Sequence, residues 1–122
     1  MPYRCVVVDD NDRFVQVAQR LLEVDGVLAV QTAADIRSAL ALIDAELPEV
    51  VLIDVSLGAE SGFDLVRILS ERIDGFSRRI VIISTRAEED YEDLIRETAV
   101  AGFVSKSELS VDAIQRLLPQ LA

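Results

Sequence analysis

The chain has 122 residues, 51% of them apolar, and its 12 basic and 22 acidic residues give a formal net charge of −10. This length fits one domain with a substantial core, and so apolar a composition excludes a disordered chain. The acidic balance argues against binding nucleic acid by phosphate neutralisation. The sequence also lacks histidine, a second cysteine and an apolar run of membrane-spanning length, which excludes histidine catalysis, an intramolecular disulfide and a transmembrane helix.

The first unit predicted along the chain is a strand followed by a helix. Residues 5–8 are apolar and mostly β-branched, and they end at Asp9 and Asp10. Asn11 or Asp12 can cap a helix to about residue 24, because short polar side chains accept from free N–H groups of the first turn. Helical spacing predicts one buried stripe, formed by Phe14, Val17, Ala18, Leu21 and Leu22. Cys5 lies in the apolar run and is predicted to be a buried, inert thiol, which fits a reducing cytoplasmic compartment.

The second and third units follow the same plan. Residues 28–32 predict a strand, and Asp35 can cap a helix that Pro48 prevents from continuing. The inner face of that helix is predicted to consist of Ile36, Ala39, Leu40 and Ile43. Residues 50–57 read VVLIDVSL, a run typical of a strand buried on both faces, with Asp54 at its carboxyl end. After a loop, residues 62–72 predict a third helix, whose inward side chains are Leu65, Val66 and Leu69.

The remaining elements are shorter. After a polar connection over residues 74–79, residues 80–83 predict a fourth strand, which ends at Ser84 and Thr85. Residues 88–100 predict an acidic helix with few apolar anchors. Residues 103–105 predict a fifth strand that ends at Lys106. Ser110 can cap a last helix reaching the end of the chain, whose stripe consists of Val111, Ile114, Leu117, Leu118 and Leu121.

Strand and helix thus alternate five times in one domain over residues 1–122. This alternation predicts an α/β fold, with a five-stranded parallel sheet in the order 2-1-3-4-5 and helices on both faces. Ligands of such sheets bind at the carboxyl ends of the strands. Asp9 and Asp10 would then meet Asp54 there, with Ser84 and Lys106 beside them. Taken alone, Asp54 has a second interpretation as the cap of the following turn.

The predicted cluster has the residue types that phosphoryl transfer requires. Three carboxylates in one crevice repel one another and need a cation, and oxygen ligands suit a hard ion such as Mg²⁺. A lysine and a hydroxyl group would instead bind an anion, by charge and by hydrogen bonding. Metal and ammonium can neutralise a phosphoryl group while a carboxylate attacks it.

Five motifs resemble one known family over essentially the whole chain. They are VVVDD at 6–10, VVLIDVSL at 50–57, GFDLVRIL at 62–69, VIIST at 81–85 and AGFVSK at 101–106. In order and spacing they are similar to the receiver domain of two-component response regulators, the group that includes the chemotaxis response regulator. The resemblance implies a flavodoxin-like, three-layer (βα)5 fold and a signalling domain that is not a turnover enzyme.

The resemblance also implies a role for each matching residue. Asp54 would be the phosphoacceptor, and Lys106 would pair with the phosphoryl oxygens. Mg²⁺ would be held by Asp9, Asp10, Asp54 and the backbone carbonyl of Ser56. Ser84 would be the switch hydroxyl, with Thr85 as its rival, and Phe103 would be the switch aromatic unless it is a plain core residue.

The implied partners are a sensor histidine kinase or phosphotransfer protein and a downstream effector or an output domain absent from this chain. The signal would pass through the fourth helix, fifth strand and fifth helix, a face that would also serve a homodimer. We expect no membrane contact and no direct nucleic-acid binding by this domain. Two alternatives are a pseudo-receiver that is never phosphorylated and a phosphohydrolase with an aspartyl nucleophile. Ser56 argues against the phosphohydrolase, because haloacid dehalogenase-type enzymes carry a second aspartate there.

Three positions depart from the family pattern. Ser107 replaces a proline that follows a cis bond, and a cis bond before a residue other than proline costs about 3 kcal/mol, so a trans bond is expected. Gly58 replaces a proline and would loosen its loop. Arg86 stands where an acid or amide often governs dephosphorylation. We expect Arg86 to pair with Glu88 or Glu89 or to crowd the attacking water, and so to change the lifetime of the phosphoryl group; an unchanged dephosphorylation rate in Arg86→Ala would refute this.

Overall fold

Five strands alternate with five helices, as the sequence predicts, in a computed structural model that describes residues 2–122 and leaves Met1 outside. The strands are β1 (Tyr3–Val8), β2 (Leu28–Ala33), β3 (Val50–Asp54), β4 (Ile80–Ser84) and β5 (Gly102–Ser105). The helices are α1 (Asp12–Glu23), α2 (Ile36–Glu46), α3 (Gly62–Arg72), α4 (Glu92–Thr98) and α5 (Val111–Leu117). Asn11, Asp35, Ser61 and Ser110 accept N-capping hydrogen bonds from the first turns of α1, α2, α3 and α5.

The five strands form one parallel sheet in the order β2-β1-β3-β4-β5, which confirms the predicted fold class and strand order. Its register aligns the carboxyl ends of β1, β3, β4 and β5. Val8 lies opposite Ile53, and Ser84 lies opposite Ser105. Asp9 and Lys106, which follow Val8 and Ser105, therefore reach the same edge of the sheet as Asp54.

An apolar layer covers each face of the sheet. Strand side chains alternate between the faces, so Val7 and Leu52 pack on one side while Val6 and Val51 pack on the other. The first layer includes α1 and α5, and the second includes α2 and α3. Cys5 is buried in the first layer, where burial and then the charge of Glu23 raise the pKa of its thiol to about 12. It is therefore a neutral core side chain at physiological pH.

The predicted stripe of α1 is wrong for two of its residues. Val17 and Leu21 are 57% and 42% exposed. The buried face is centred on Ala18 and Leu22, with Phe14 half-buried beside them. The five-residue pattern is wider than the contact that one helix makes with a sheet, so the pattern alone leaves the rotation of the helix open.

The last two helices are shorter than predicted. Residues Glu88–Tyr91 form a 3-10 turn, and α4 begins only at Glu92; neither element has a side-chain cap. Helix α5 ends at Leu117, since Pro119 disfavours helical backbone at the residue before it. A final 3-10 turn over Pro119–Leu121 still buries Leu121.

Two loops contain structure that the sequence did not predict. The supposedly polar connection includes a 3-10 turn, Phe76–Arg79, in which Phe76 is buried. The loop after β3 contains a small hairpin that pairs Ser56–Leu57 with Glu60–Ser61. Gly58 has a φ of 66° at the first central position of its turn, where glycine is favoured. Within residues 2–122 no helix combines the length and the apolar character required to span a membrane.

Candidate functional site

Two buried aspartates form the floor of a crevice at the carboxyl edge of the sheet. Asp9 follows β1 and is 1% exposed, whereas Asp54 ends the neighbouring strand β3 and is 7% exposed. The Asn11 N–H donates to Asp9 Oδ1 at 2.9 Å, and the Ser56 N–H donates to Asp54 Oδ1 at 3.4 Å. Each carboxylate therefore has one oxygen bound to the loop that follows it and one oxygen directed into the crevice.

Lys106 bridges the two free carboxylate oxygens. Its Nζ lies 2.6 Å from Asp9 Oδ2 and donates a hydrogen bond of 3.0 Å to Asp54 Oδ2. The side chain is only 11% exposed, and it starts from the 3-10 turn Lys106–Glu108 directly after β5. The Lys106–Ser107 bond is trans, as expected. One buried ammonium therefore serves two buried carboxylates.

The electrostatics of the crevice leave it short of positive charge. Burial raises the pKa of the Asp54 carboxyl and the charge of Asp9 raises it further, which outweighs the lowering by Lys106 and the Ser56 N–H. Burial lowers the pKa of the Lys106 amine, but Asp9 and Asp54 outweigh burial and raise it. The ammonium stays charged, and the excess negative charge favours a further cation.

The acidic side chains of the crevice fit a hard metal ion. One carboxylate oxygen from each of Asp9, Asp10 and Asp54 lies within 4.8 Å of the others. Asp9 Oδ2 is buried without a hydrogen-bond donor, since its contact with Lys106 is an ion pair that lacks the geometry of a hydrogen bond. A buried carboxylate oxygen that has an ion pair but no hydrogen-bond donor can still bind a metal ion, and Mg²⁺ prefers oxygen ligands with room for water. Asp10 is exposed and leaves that room.

Ser84 lies at the end of β4 and is 4% exposed, whereas Thr85 is exposed. The Ser84 Oγ accepts a hydrogen bond of 3.0 Å from the Arg86 N–H, which leaves its own proton free for donation. Between residues 2 and 122, Arg86 forms no salt bridge with Glu88 or Glu89. Of the two expected effects of Arg86, pairing with these glutamates is therefore not seen, while crowding of the attacking water and the change in phosphoryl lifetime stay predictions.

The small hairpin after β3 forms another wall of the crevice. Its first residue, Ser56, is exposed, and its peptide N–H contacts Asp54 as described above. A Cβ on Gly58 would lie 3.4 Å from Asp10 Oδ2, so the turn of the hairpin stands close to that carboxylate. The pairing of the hairpin does not support the expectation of a loosened loop. The role of the Ser56 carbonyl as a metal ligand stays a prediction.

Phe103 on β5 is half-buried and belongs to a row of three aromatic rings. Its ring lies 6.4 Å from that of Tyr91, which lies 6.1 Å from that of Phe63. Sequence reasoning missed Tyr91, because an aromatic residue among acids in a weak helix gives no periodic signal. The row connects the fifth strand to the segment before α4.

Comparison with known proteins identifies the chain. Residues 5–118 match the response regulator receiver domain. The chain belongs to the response regulator receiver family. The response regulator PleD of Caulobacter vibrioides is 31% identical over 108 residues, which cover 87% of this chain and 23% of PleD. The transcriptional regulatory protein DegU of Brevibacillus brevis is 24% identical over 110 residues, which cover 89% of this chain and 45% of DegU.

A solved structure extends the likeness to the fold of this receiver domain. A response regulator protein from Burkholderia pseudomallei, with a phosphorylated aspartic acid, a calcium ion and citrate, has a TM-score of 0.81 and 28% identity, covering 95% of this chain and 66% of that one. The receiver domain spans less than half the length of PleD and DegU. It is a signalling domain of two-component systems rather than a classical enzyme.

Proposed function

We propose that this receiver domain accepts a phosphoryl group on Asp54 from the phosphohistidine of a sensor histidine kinase or phosphotransfer protein, in a Mg²⁺-dependent reaction. The observation that carries the proposal is the buried ammonium of Lys106, held 3.0 Å from Asp54 Oδ2 in a crevice with excess carboxylate charge. The solved relative with a phosphorylated aspartic acid supports it. The domain would act in the cytoplasm as a single unit over residues 1–122.

Each residue of the crevice would have a separate role in the phosphoryl transfer. A carboxylate oxygen of Asp54 attacks phosphorus, an O–P bond forms, and the N–P bond of the donor breaks with its electron pair passing to nitrogen. Lys106 would neutralise the phosphoryl oxygens, since its ammonium already contacts the carboxylate that the phosphoryl group would join. Asp9, Asp10, Asp54 and the Ser56 carbonyl would hold Mg²⁺, which supplies positive charge to the same oxygens.

Phosphorylation would then act as a conformational switch. It adds about −1.5 to −2 charges and three strong acceptors, one of which can take the free proton of Ser84. Movement of the loop after β4 would change the packing of Phe103 against Tyr91, and so the face formed by α4, β5 and α5. An effector protein, an output domain or a second copy of the chain would bind this face; the domain itself would bind no nucleic acid.

The experiment is an intact-mass measurement after incubation with acetyl phosphate and Mg²⁺. We expect wild type to gain one phosphoryl group, and the gain to vanish in Asp54→Asn and when EDTA removes the metal. Asp44→Asn is the matched control, because Asp44 is an exposed carboxylate near the carboxyl end of α2 that pairs with Arg72 and is not part of the acidic cluster. Its gain should equal that of wild type.

The other outcomes separate the alternatives. A gain retained in Asp54→Asn would mean that another residue is the acceptor. If no gain occurs with acetyl phosphate or with a phosphorylated kinase domain while Mg²⁺ still raises the melting temperature, the domain is a pseudo-receiver. Free phosphate released over many turnovers would instead indicate a phosphohydrolase.

A further inference from the structure

Lys106 has a third neighbour besides its two carboxylates. Its Nζ lies 4.4 Å from the centroid of the Phe14 ring, within the range of a cation–π interaction. Phe14 is half-buried and packs against the apolar layer under α1, so one part of the ring lies in the core while the ammonium lies over its face. A lysine side chain that is 11% exposed is largely shielded from water, which strengthens such a contact.

The backbone at Phe14 is held by the turn that also holds Asp9. Asp9 Oδ1 accepts from the Asn11 N–H at 2.9 Å, and Asn11 Oδ1 accepts from the Phe14 N–H at 3.1 Å. This pair of hydrogen bonds joins the buried carboxylate to the first turn of α1. They fix the backbone at Phe14, from which the ring reaches the ammonium of Lys106.

The three neighbours of the ammonium differ in what the proposed reaction does to them. Asp9 would be taken up by the metal, and Asp54 would become an acyl phosphate. The ring is the one contact of the three that neither event removes. We infer that the face of Phe14 holds the Lys106 ammonium in the crevice through the phosphorylation cycle, which makes Phe14 a positioning residue for phosphoryl transfer. This inference rests on the proposed function.

The chain itself provides a direct probe of this contact. Lys106 is its sole lysine, since the other 11 of the 12 basic residues are arginines. Selective isotope labelling of lysine therefore gives a single ε-CH₂ resonance. Protons over the face of an aromatic ring shift upfield, so the resonance reports whether the end of the side chain lies over Phe14.

The test compares Phe14→Leu, which keeps an apolar side chain without a π face, with Phe14→Tyr, which keeps the face. We expect an upfield Lys106 resonance in wild type without metal and again with Mg²⁺ and beryllofluoride, a mimic of the acyl phosphate. The upfield shift should vanish in Phe14→Leu and return in Phe14→Tyr. The rate of phosphorylation by acetyl phosphate at saturating Mg²⁺ should fall about tenfold in Phe14→Leu and recover in Phe14→Tyr.

Two further variants separate positioning from packing. Phe76→Leu removes a more deeply buried ring before β4, at the amino edge of the sheet, and should leave the rate unchanged. Trifluorophenylalanine placed at position 14 by codon suppression keeps the shape of the ring but withdraws charge from its face, and should slow phosphorylation without unfolding the domain.

The outcomes that overturn the inference are explicit. They are a Lys106 resonance at its ordinary position in wild type, a shift lost with beryllofluoride, or unchanged rates in both Phe14→Leu and the fluorinated protein. Failure of wild type to be phosphorylated would instead refute the proposed function. The resonance would then still decide whether the ring holds the ammonium.

Discussion

The helices α3 and α4 pack against the same face of the sheet, and they differ in capping and in burial. Helix α3 has an N-cap at Ser61 and five buried residues: Gly62, Phe63, Leu65, Val66 and Leu69. Helix α4 has no side-chain cap and no buried residue, and a 3-10 turn precedes it. Since local stability follows buried contacts, α3 supports a fixed part of the crevice and α4 supports a part that can rearrange.

Acidic residues at the start of α4 make this helix weaker still in comparison with α3. Glu88, Glu89 and Asp90 precede α4, and Glu92 and Asp93 begin it. Acids near a helix N-terminus are favourable, but five in six residues also repel one another. We call α3 with the end of β3 the fixed wall, and the segment 88–98, which contains α4, the weak wall. Asp54 lies in the fixed wall and performs the proposed chemistry, whereas the weak wall follows the loop after Ser84, which would report it. The reacting carboxylate therefore stands on a stable part of the domain, and the part that would move in the switch is weakly held.

The largest effect that we predict on the fixed wall is that of Gly62→Ala. A Cβ on Gly62 would overlap the carbonyl oxygen of Asp54 and lie 2.9 Å from its carbonyl carbon. Both are backbone atoms of a central strand, so α3 or the end of β3 must shift. We expect a loss of about 3 kcal/mol or more in the free energy of unfolding measured in urea.

Gly75→Ala is the control for this prediction. Gly75 has a φ of 75° with open space around it, so its substitution reports the backbone conformation alone, which costs about 1 kcal/mol. If Gly62→Ala cost no more than Gly75→Ala, the close approach of α3 to Asp54 would not be part of the fixed wall.

A pair of matched leucines compares the two walls directly. Leu65 in α3 is fully buried, whereas Leu94 in α4 is half-buried. We expect Leu65→Ala to reduce the free energy of unfolding by about 2–5 kcal/mol and Leu94→Ala by about 1 kcal/mol or less. Urea unfolding measures both changes, and equal losses would contradict the comparison.

Elements with one dominant local signal could be predicted from the sequence, and contacts between distant elements could not. The run of residues 50–54, the caps at Asn11 and Asp35, and the carboxylates that end β1 and β3 all lie where the pattern indicated. The rotation of α1 was wrong, because Val17 and Leu21 extend its apolar pattern without contacting the sheet.

The unpredicted features depend on separations in space that spacing in sequence does not contain. Phe14 looked like an ordinary core residue, and only the fold brings its ring to Lys106, which is 92 positions further along the chain. The buried Phe76 is held by its surroundings, whereas the hairpin after β3 has a local signal in Gly58 but strands of only two residues each. The sequence therefore predicted that the aspartates and Lys106 lie together, whereas the contact of Lys106 with Phe14 depends on the packing of the folded chain.

The smallest effect predicted concerns the end of the weak wall. Ala99 terminates α4 with a φ of 54°, a left-handed conformation that strains alanine and suits glycine. Relief of this strain is partly offset by the greater freedom of glycine in the unfolded chain, so Ala99→Gly should stabilise the domain by about 0.5 kcal/mol. Ala41→Gly, on an exposed position inside α2, should destabilise it by about 0.5–1 kcal/mol. The opposite signs in urea unfolding are the test. If both substitutions destabilise, α4 does not end at a strained residue, and its weakness must come from its lack of buried contacts alone.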